Sequence, residues 1–150
     1  MFAVSHAASE SAMGSQCYEV LPVAWVESPI VDVAQAPMQG DEGAPLAWLI
    51  FRPDMAEAIR DLRPGDHVVL LSWLDRARRD VLSTHPRGDP RRPRLGVFST
   101  RSPDRPNPIG LHPVRIDAIE GPRILVSDLE AVNGTPILDI KPVLVPLAER

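Results

Sequence analysis

The stretch at 95–111, LGVFSTRSPDRPNPIGL, is the densest collection of ligand-recognising groups in the chain. Pro103, Pro106 and Pro108 lock φ and remove backbone donors, so the segment after Thr100 is stiff and irregular and presents Arg101, Arg105 and Asn107 at fixed angles. A guanidinium held in this way meets a carboxylate or phosphate through two parallel N–H bonds. A proline-rich turn that merely joins two strands has the same composition, but two arginines inside it favour a binding role. A second stretch at 125–141, LVSDLEAVNGTPILDIK, supplies acids. Asn133-Gly134 is a tight-turn signal, and Asp139 and Lys141 fall on one face of an extended segment, where they also read as an ordinary ion pair.

These side chains need a scaffold, and the composition limits which one. Seventeen Pro and nine Gly among 150 residues argue against long helices, while 44% hydrophobic and 24% charged residues give one globular core and not two. No apolar run reaches the roughly 18 residues of a membrane span, and no basic segment followed by an apolar one opens the chain. Cys17 is the single cysteine, and no Cys/His cluster has metal spacing. A cytoplasmic protein without membrane contact or structural metal is expected.

Residues 1–17 lack apolar periodicity and are expected to form a flexible tail preceding a domain over 18–150. Strands are expected at 18–26, 47–51, 67–74, 95–100, 109–116 and 123–126, with alternating turn and strand signals over 135–147. Met55, Ala58, Ile59 and Leu62 follow helical spacing between Pro53 and Gly65, which predicts one two-turn helix over 55–62. The segments 31–46 and 75–94 read as long loops. Six or seven short strands with one short helix predict a mainly β, single-domain small barrel.

Charge is distributed unevenly. Residues 76–115 hold ten of the fifteen arginines against Asp80, Asp89 and Asp104, a net of +7 in a chain of net charge −4. Arginine in place of lysine follows genome composition easily, but clustering of this kind makes a local anion-binding face and raises nucleic acid as a partner.

The segments at 96–111 (GVFSTRSPDRPNPIGL) and 129–142 (LEAVNGTPILDIKP) resemble the two signature segments of the TsaA-like family, the TrmO-type tRNA methyltransferases. A weaker resemblance extends over WVESP at 25–29, Pro37-Met38-Gln39 and Gly65-Asp66-His67, so that it covers about residues 20–147. It implies a barrel, usually dimeric, that binds S-adenosyl-L-methionine and methylates N6 of threonylcarbamoyladenosine beside the tRNA anticodon. Carried over position by position, it implies cofactor contacts at Met38, Gln39, Gly40, Trp73, Leu74, Arg101, Leu111, Ser127, Asp128, Leu129 and Glu130. Arg101 would hold the methionyl carboxylate, and Asp128 or Glu130 would accept from the ammonium or ribose hydroxyls. Trp73, Leu74 and Leu111 also read as plain core.

Several positions depart from the family pattern. Met38 stands in place of an arginine, Asp66 in place of a small hydroxyl residue, and Glu130 and Asn133 in place of aspartates. For the methyl transfer itself, Asp139 is the candidate to accept or steer the N6 proton, and Lys141 to offset negative charge or hold a phosphate. Arg87, Arg91, Arg92, Arg94 and Arg105 are the candidate RNA-binding residues. His67 reads equally as structural or functional, His85 lies in the basic loop, and His6 and His112 carry no hypothesis. A noncatalytic RNA- or nucleotide-binding barrel and a small-molecule methyltransferase are the rival classes.

Overall fold

The computed structural model describes residue 14 and residues 16–146, so the expected tail lies almost wholly outside the described residues. Six strands close a barrel in the order β1 (Ala24–Glu27), β2 (Ala47–Phe51), β7 (Arg123–Ser127), β6 (Ile109–Glu120), β3 (His67–Trp73) and β8 (Pro136–Pro142), and β8 pairs back onto β1. All pairings are antiparallel. The remaining strands, β4 (Ser83–Thr84) and β5 (Leu95–Gly96), form a separate two-stranded ribbon.

Period-two alternation sets the inside of the barrel. Ala24 and Val26, Leu49 and Phe51, Val68 and Leu70, Val114 and Ile116, Ile124 and Val126, and Ile137 turn inward and form one core with Leu129 and Ala131. Each buried leucine or isoleucine there contributes roughly 1.5–3 kcal/mol, against at most about 1 kcal/mol for an exposed ion pair, so the core and not the surface charge holds the fold.

The expected boundaries hold for β2 and for the starts of β3, β6 and β7, and β3, β7 and β8 end within a few residues of expectation, while larger shifts fall elsewhere. The first strand begins at Ala24, because partners on β2 and β8 exist only from there, and residues 18–21 are exposed. The helix shortens to a 3-10 turn at Pro53–Met55 followed by one α turn, α1 (Ala56–Ile59). Pro64 disfavours helical geometry at Arg63, whose side chain instead donates to the carbonyls of Arg60 and Leu62. The strand expected at 95–100 stops after Gly96 and becomes a 3-10 turn at Val97–Ser99, since only Leu95 and Gly96 find partners. Strand β6 runs on to Glu120, because a register shift between Ile116 and Ala118 lets it keep pairing with β7. Among the described residues no helix is long and apolar enough to cross a membrane.

Candidate functional site

Two loops that are far apart in sequence meet at Gly40. The first follows β1: Asp32 caps the turn Val33–Gln35, and the chain folds back through bonds from Glu42 N to Gln39 O and from Ala44 N to Gly40 O. The second leaves β7 at Asp128, whose φ of +67° swings the backbone out of the ladder. A Cβ built on Gly40 would lie 1.6 Å from the Asp128 carbonyl oxygen and 3.0 Å from Glu130 Oε2, so only glycine allows this approach. The structure thus brings Gln39 and Gly40 together with Asp128, and Gly40 with Glu130, while Met38, Ser127 and Leu129 are their chain neighbours. Leu129 is fully buried and anchors the second loop to the core, leaving only its backbone to meet a ligand.

Behind Glu130 stands a hydrogen-bonded line. Glu130 Oε1 lies 2.6 Å from His112 Nδ1, and His112 Nε2 lies 2.6 Å from Ser72 Oγ. Ser72 and His112 both occupy inward positions and are buried. Gly110, directly across from Ser72, makes room for them, since a Cβ there would fall 2.3 Å from Ser72 Oγ. Neither residue was singled out by the sequence. The available signal was parity: each is a polar residue at an inward position of an apolar strand, where a partner is obligatory.

The remaining candidates fall on the outer face of the neighbouring strands β6, β3 and β8. Trp73 lies across from Ile109, Leu71 across from both Leu111 and Asp139, and Val69 across from Lys141. Lys141 Nζ and Asp139 Oδ2 pair at 3.0 Å, and Asp139 Oδ1 also accepts from Ile140 N at 2.9 Å. Trp73 and Leu74 are held against the proline-rich segment. Leu74 N donates to Pro108 O at 2.8 Å, Arg105 N to Arg78 O at 3.0 Å and Arg78 N to Asp104 Oδ1 at 2.8 Å. Arg79 completes the link by donating to Pro106 O at 2.8 Å and to Asn107 Oδ1 at 2.9 Å, with its guanidinium 5.2 Å above the Trp73 ring. One face of Trp73 is therefore already covered by an arginine that local sequence does not distinguish from the rest of the basic cluster.

The arginines divide by what they touch. Arg105 is turned inward and donates to the carbonyls of Val97, Thr100 and Ser102, which gives it the task of holding the loop's shape. Arg101 is exposed and makes no hydrogen bond or ion pair with any described residue. In the basic loop Arg87 pairs with Glu42, Arg91 and Arg92 share Asp89, and Arg94 donates to Ser83. The hydrogen bond from Arg91 holds the Asp89 carboxyl below the usual range, and Arg78 does the same to Asp80. His85 Nδ1 donates to Arg92 O at 2.8 Å, closing the loop on itself. Arg87 and Arg76, the latter donating to Val31 O, tie this loop to the one carrying Gln39.

A cleft of about 260 Å3 lies at the Gly40–Asp128 junction, lined by Gln39, Gly40, His67, Pro113, Asp128 and Val143 among others, and not by Trp73, Arg101, Leu111 or Asp139. A wider concavity of about 640 Å3, between α1 and the β6–β7 turn, includes none of the expected site residues. Beside the smaller cleft the Glu130 Oε2, the Asp128 carboxylate and the Gln39 amide have no hydrogen-bond partner among the described residues.

Comparison with known proteins places this architecture. A protein of Archaeoglobus fulgidus named an S-adenosyl-L-methionine-binding protein is 38% identical over 120 residues, which is 80% of this chain and 85% of that protein. A second protein of that organism, named a probable S-adenosyl-L-methionine-binding protein, is 39% identical over 117 residues, but the match takes in only 31% of its length. The crystal structure of TrmO from Pseudomonas aeruginosa superposes with a TM-score of 0.69 at 31% identity over 86% of this chain and 55% of that one. This chain therefore spans about half of the TrmO chain it matches and under a third of the longer archaeal relative. The model of the tRNA-methyltransferase O N-terminal domain matches residues 25–147, and the chain belongs to that family.

Proposed function

We propose that this chain binds S-adenosyl-L-methionine at the junction of the 38–40 and 127–130 loops and methylates N6 of threonylcarbamoyladenosine in the tRNA anticodon loop. The observation that carries this reading is the backbone contact of Gly40 with Asp128, which gathers two expected cofactor segments into one cleft. The unpartnered groups suit that ligand. Arg101 offers a cation for the methionyl carboxylate, Asp128 and Glu130 offer acceptors for the ammonium or ribose hydroxyls, and Gln39 offers an amide for the base. When bound, S-adenosyl-L-methionine supplies a methyl group on a sulfonium that leaves as a thioether.

The chain's own contribution is positioning and proton removal. An N6 conjugated to a carbamoyl group must lose its proton as the new C–N bond forms, and Asp139, steadied by Lys141, is the carboxylate offered for it. Arg87, Arg91, Arg92 and Arg94 face solvent and would follow the RNA backbone.

A second copy of the chain is part of this reading. The cleft falls below the roughly 300–1,000 Å3 typical of ligand pockets, and Ile109, Leu111 and Phe98 are exposed next to the proline-rich segment. A partner covering them would complete the site. Sedimentation is expected to give a dimer at micromolar concentration.

Titration with S-adenosyl-L-methionine, then incubation with tRNA bearing or lacking the threonylcarbamoyl group and mass analysis of the nucleosides, tests the whole. Methylation confined to the modified tRNA is expected. The mutual pairing of Asp139 and Lys141 is what a noncatalytic nucleotide-binding barrel would also show, and cofactor binding without transfer to any tRNA would favour that class.

A further inference from the structure

Ser72, His112 and Glu130 come from β3, β6 and the loop after β7, and their exposure rises along the line. Ser72 is 0% exposed, and the side chains of His112 and Glu130 are 4% and 18% exposed. A histidine that only filled volume would be replaced at no loss by an aliphatic residue such as Val114 or Ile116, the next inward positions of the same strand. The hydrogen inventory gives it a different task. An ionised carboxylate only accepts, so Nδ1 carries the proton in the bond to Glu130 Oε1. Ser72 Oγ has no other side-chain partner among the described residues, so its hydroxyl donates to Nε2 and fixes the tautomer. All three groups are then satisfied with the proton on Nδ1 and the lone pair on Nε2. Glycines clear both ends of the line: a Cβ on Gly110 would lie 2.6 Å from His112 Nε2, and one on Gly40 would lie 3.0 Å from Glu130 Oε2.

We infer that His112 is a positioning residue for ligand binding. Its Nδ1–H holds Glu130 so that Oε2 stays turned toward the Gly40–Asp128 junction as a fixed acceptor for a hydrogen-bond donor, amine or hydroxyl, of the adenosyl ligand. This rests on the reading of the cleft given above. Glutamate has three side-chain torsions to order, and anchoring one oxygen from the core completes that ordering on folding instead of on binding.

The test is calorimetric titration of the full chain with S-adenosyl-L-methionine and with 5′-methylthioadenosine, which keeps the ribose and base but lacks the amino-acid part, alongside imidazole 15N spectra. The wild-type spectrum is expected to show His112 protonated at Nδ1 and unprotonated at Nε2. His112→Phe is expected to weaken S-adenosyl-L-methionine binding about three- to tenfold, and His112→Asn, which keeps an N–H near Nδ1, to recover most of it. Loss for S-adenosyl-L-methionine alone assigns the amine to Glu130, and equal loss for both ligands assigns a ribose hydroxyl. Ser72→Ala gives a second route should His112→Phe not fold: mixed tautomers and about two- to threefold weaker binding are expected. Wild-type binding retained in His112→Phe, or a His112 protonated at Nε2 alone, overturns the inference while leaving the cleft reading intact. A wild-type chain that binds neither ligand overturns the cleft reading, and this inference with it.

Discussion

Gly40 and Asp128 touch backbone to backbone, with the Asp128 carbonyl oxygen 1.6 Å from where a Cβ on Gly40 would sit. Because the obstruction is main chain, Gly40→Ala has to displace one of the two loops, at about 1–3 kcal/mol. Binding of S-adenosyl-L-methionine is expected to fall at least as much. Gly43→Ala is the control: Gly43 has φ of +96° but open space around it, so denaturation should register a loss of about 1 kcal/mol with cofactor affinity unchanged.

Arg101 and Arg105 lie four residues apart in one rigid segment and should separate binding from stability. Arg101 has no partner among the described residues to lose, so Arg101→Ala is expected to leave folding stability within about 0.5 kcal/mol and to weaken cofactor binding by about 1.5–3 kcal/mol. Arg105→Ala abandons three carbonyls of the loop and is expected to destabilise first. Urea denaturation and calorimetry on both variants check the split; matching effects from the two would contradict it.

Arg79 fastens the proline-rich segment to the end of β3 through Pro106, Asn107 and the Trp73 ring. Arg79→Ala is expected to cost about 1–2 kcal/mol and to raise amide exchange over 104–109. Arg79→Lys should not restore it, since an ammonium cannot bond two acceptors in a plane while lying over a ring.

The basic loop gives a pH and a salt prediction. Hydrogen bonding from Arg91 lowers the Asp89 carboxyl relative to an unfolded aspartate, so the pair's contribution is complete above the ordinary range, about 3.9, and is lost as pH falls through the lower folded value. Arg91 is exposed and Asp89 only partly covered, so the effect is local. A carbon-detected titration should find the Asp89 midpoint below the ordinary range and see it rise in Arg91→Ala. On the RNA side, replacing Arg91, Arg92 and Arg94 by alanine is expected to lower the logarithmic salt slope of tRNA binding by about 2–3. Asp89→Asn, which frees Arg91 and Arg92, should shift it the opposite way. An unchanged slope in both would remove this loop from the RNA surface.

What the sequence determined by itself is what depends on near neighbours along the chain. Residues 47–51 and 67–73 read as strands because each is a short apolar run rich in β-favouring side chains, and this needs no knowledge of the partner. Pro103, Pro106 and Pro108 stiffen their segment whatever surrounds it, and the two signature segments carry the family resemblance on their own residues. The tertiary structure alone decided which side chains meet. Ser72 bonds a residue 40 positions away and His112 one 18 positions away, and both contacts follow from strand register and from the exit of the chain at Asp128. Local sequence shows that His112 sits among apolar neighbours, not that Gly110 leaves space for a hydroxyl across the ladder. Arg101 and Arg105 look alike in the sequence, and only folding turns one into the loop and leaves the other without a partner among the described residues. Register and close approach are set by the packing of the whole barrel, so no window of local sequence contains them.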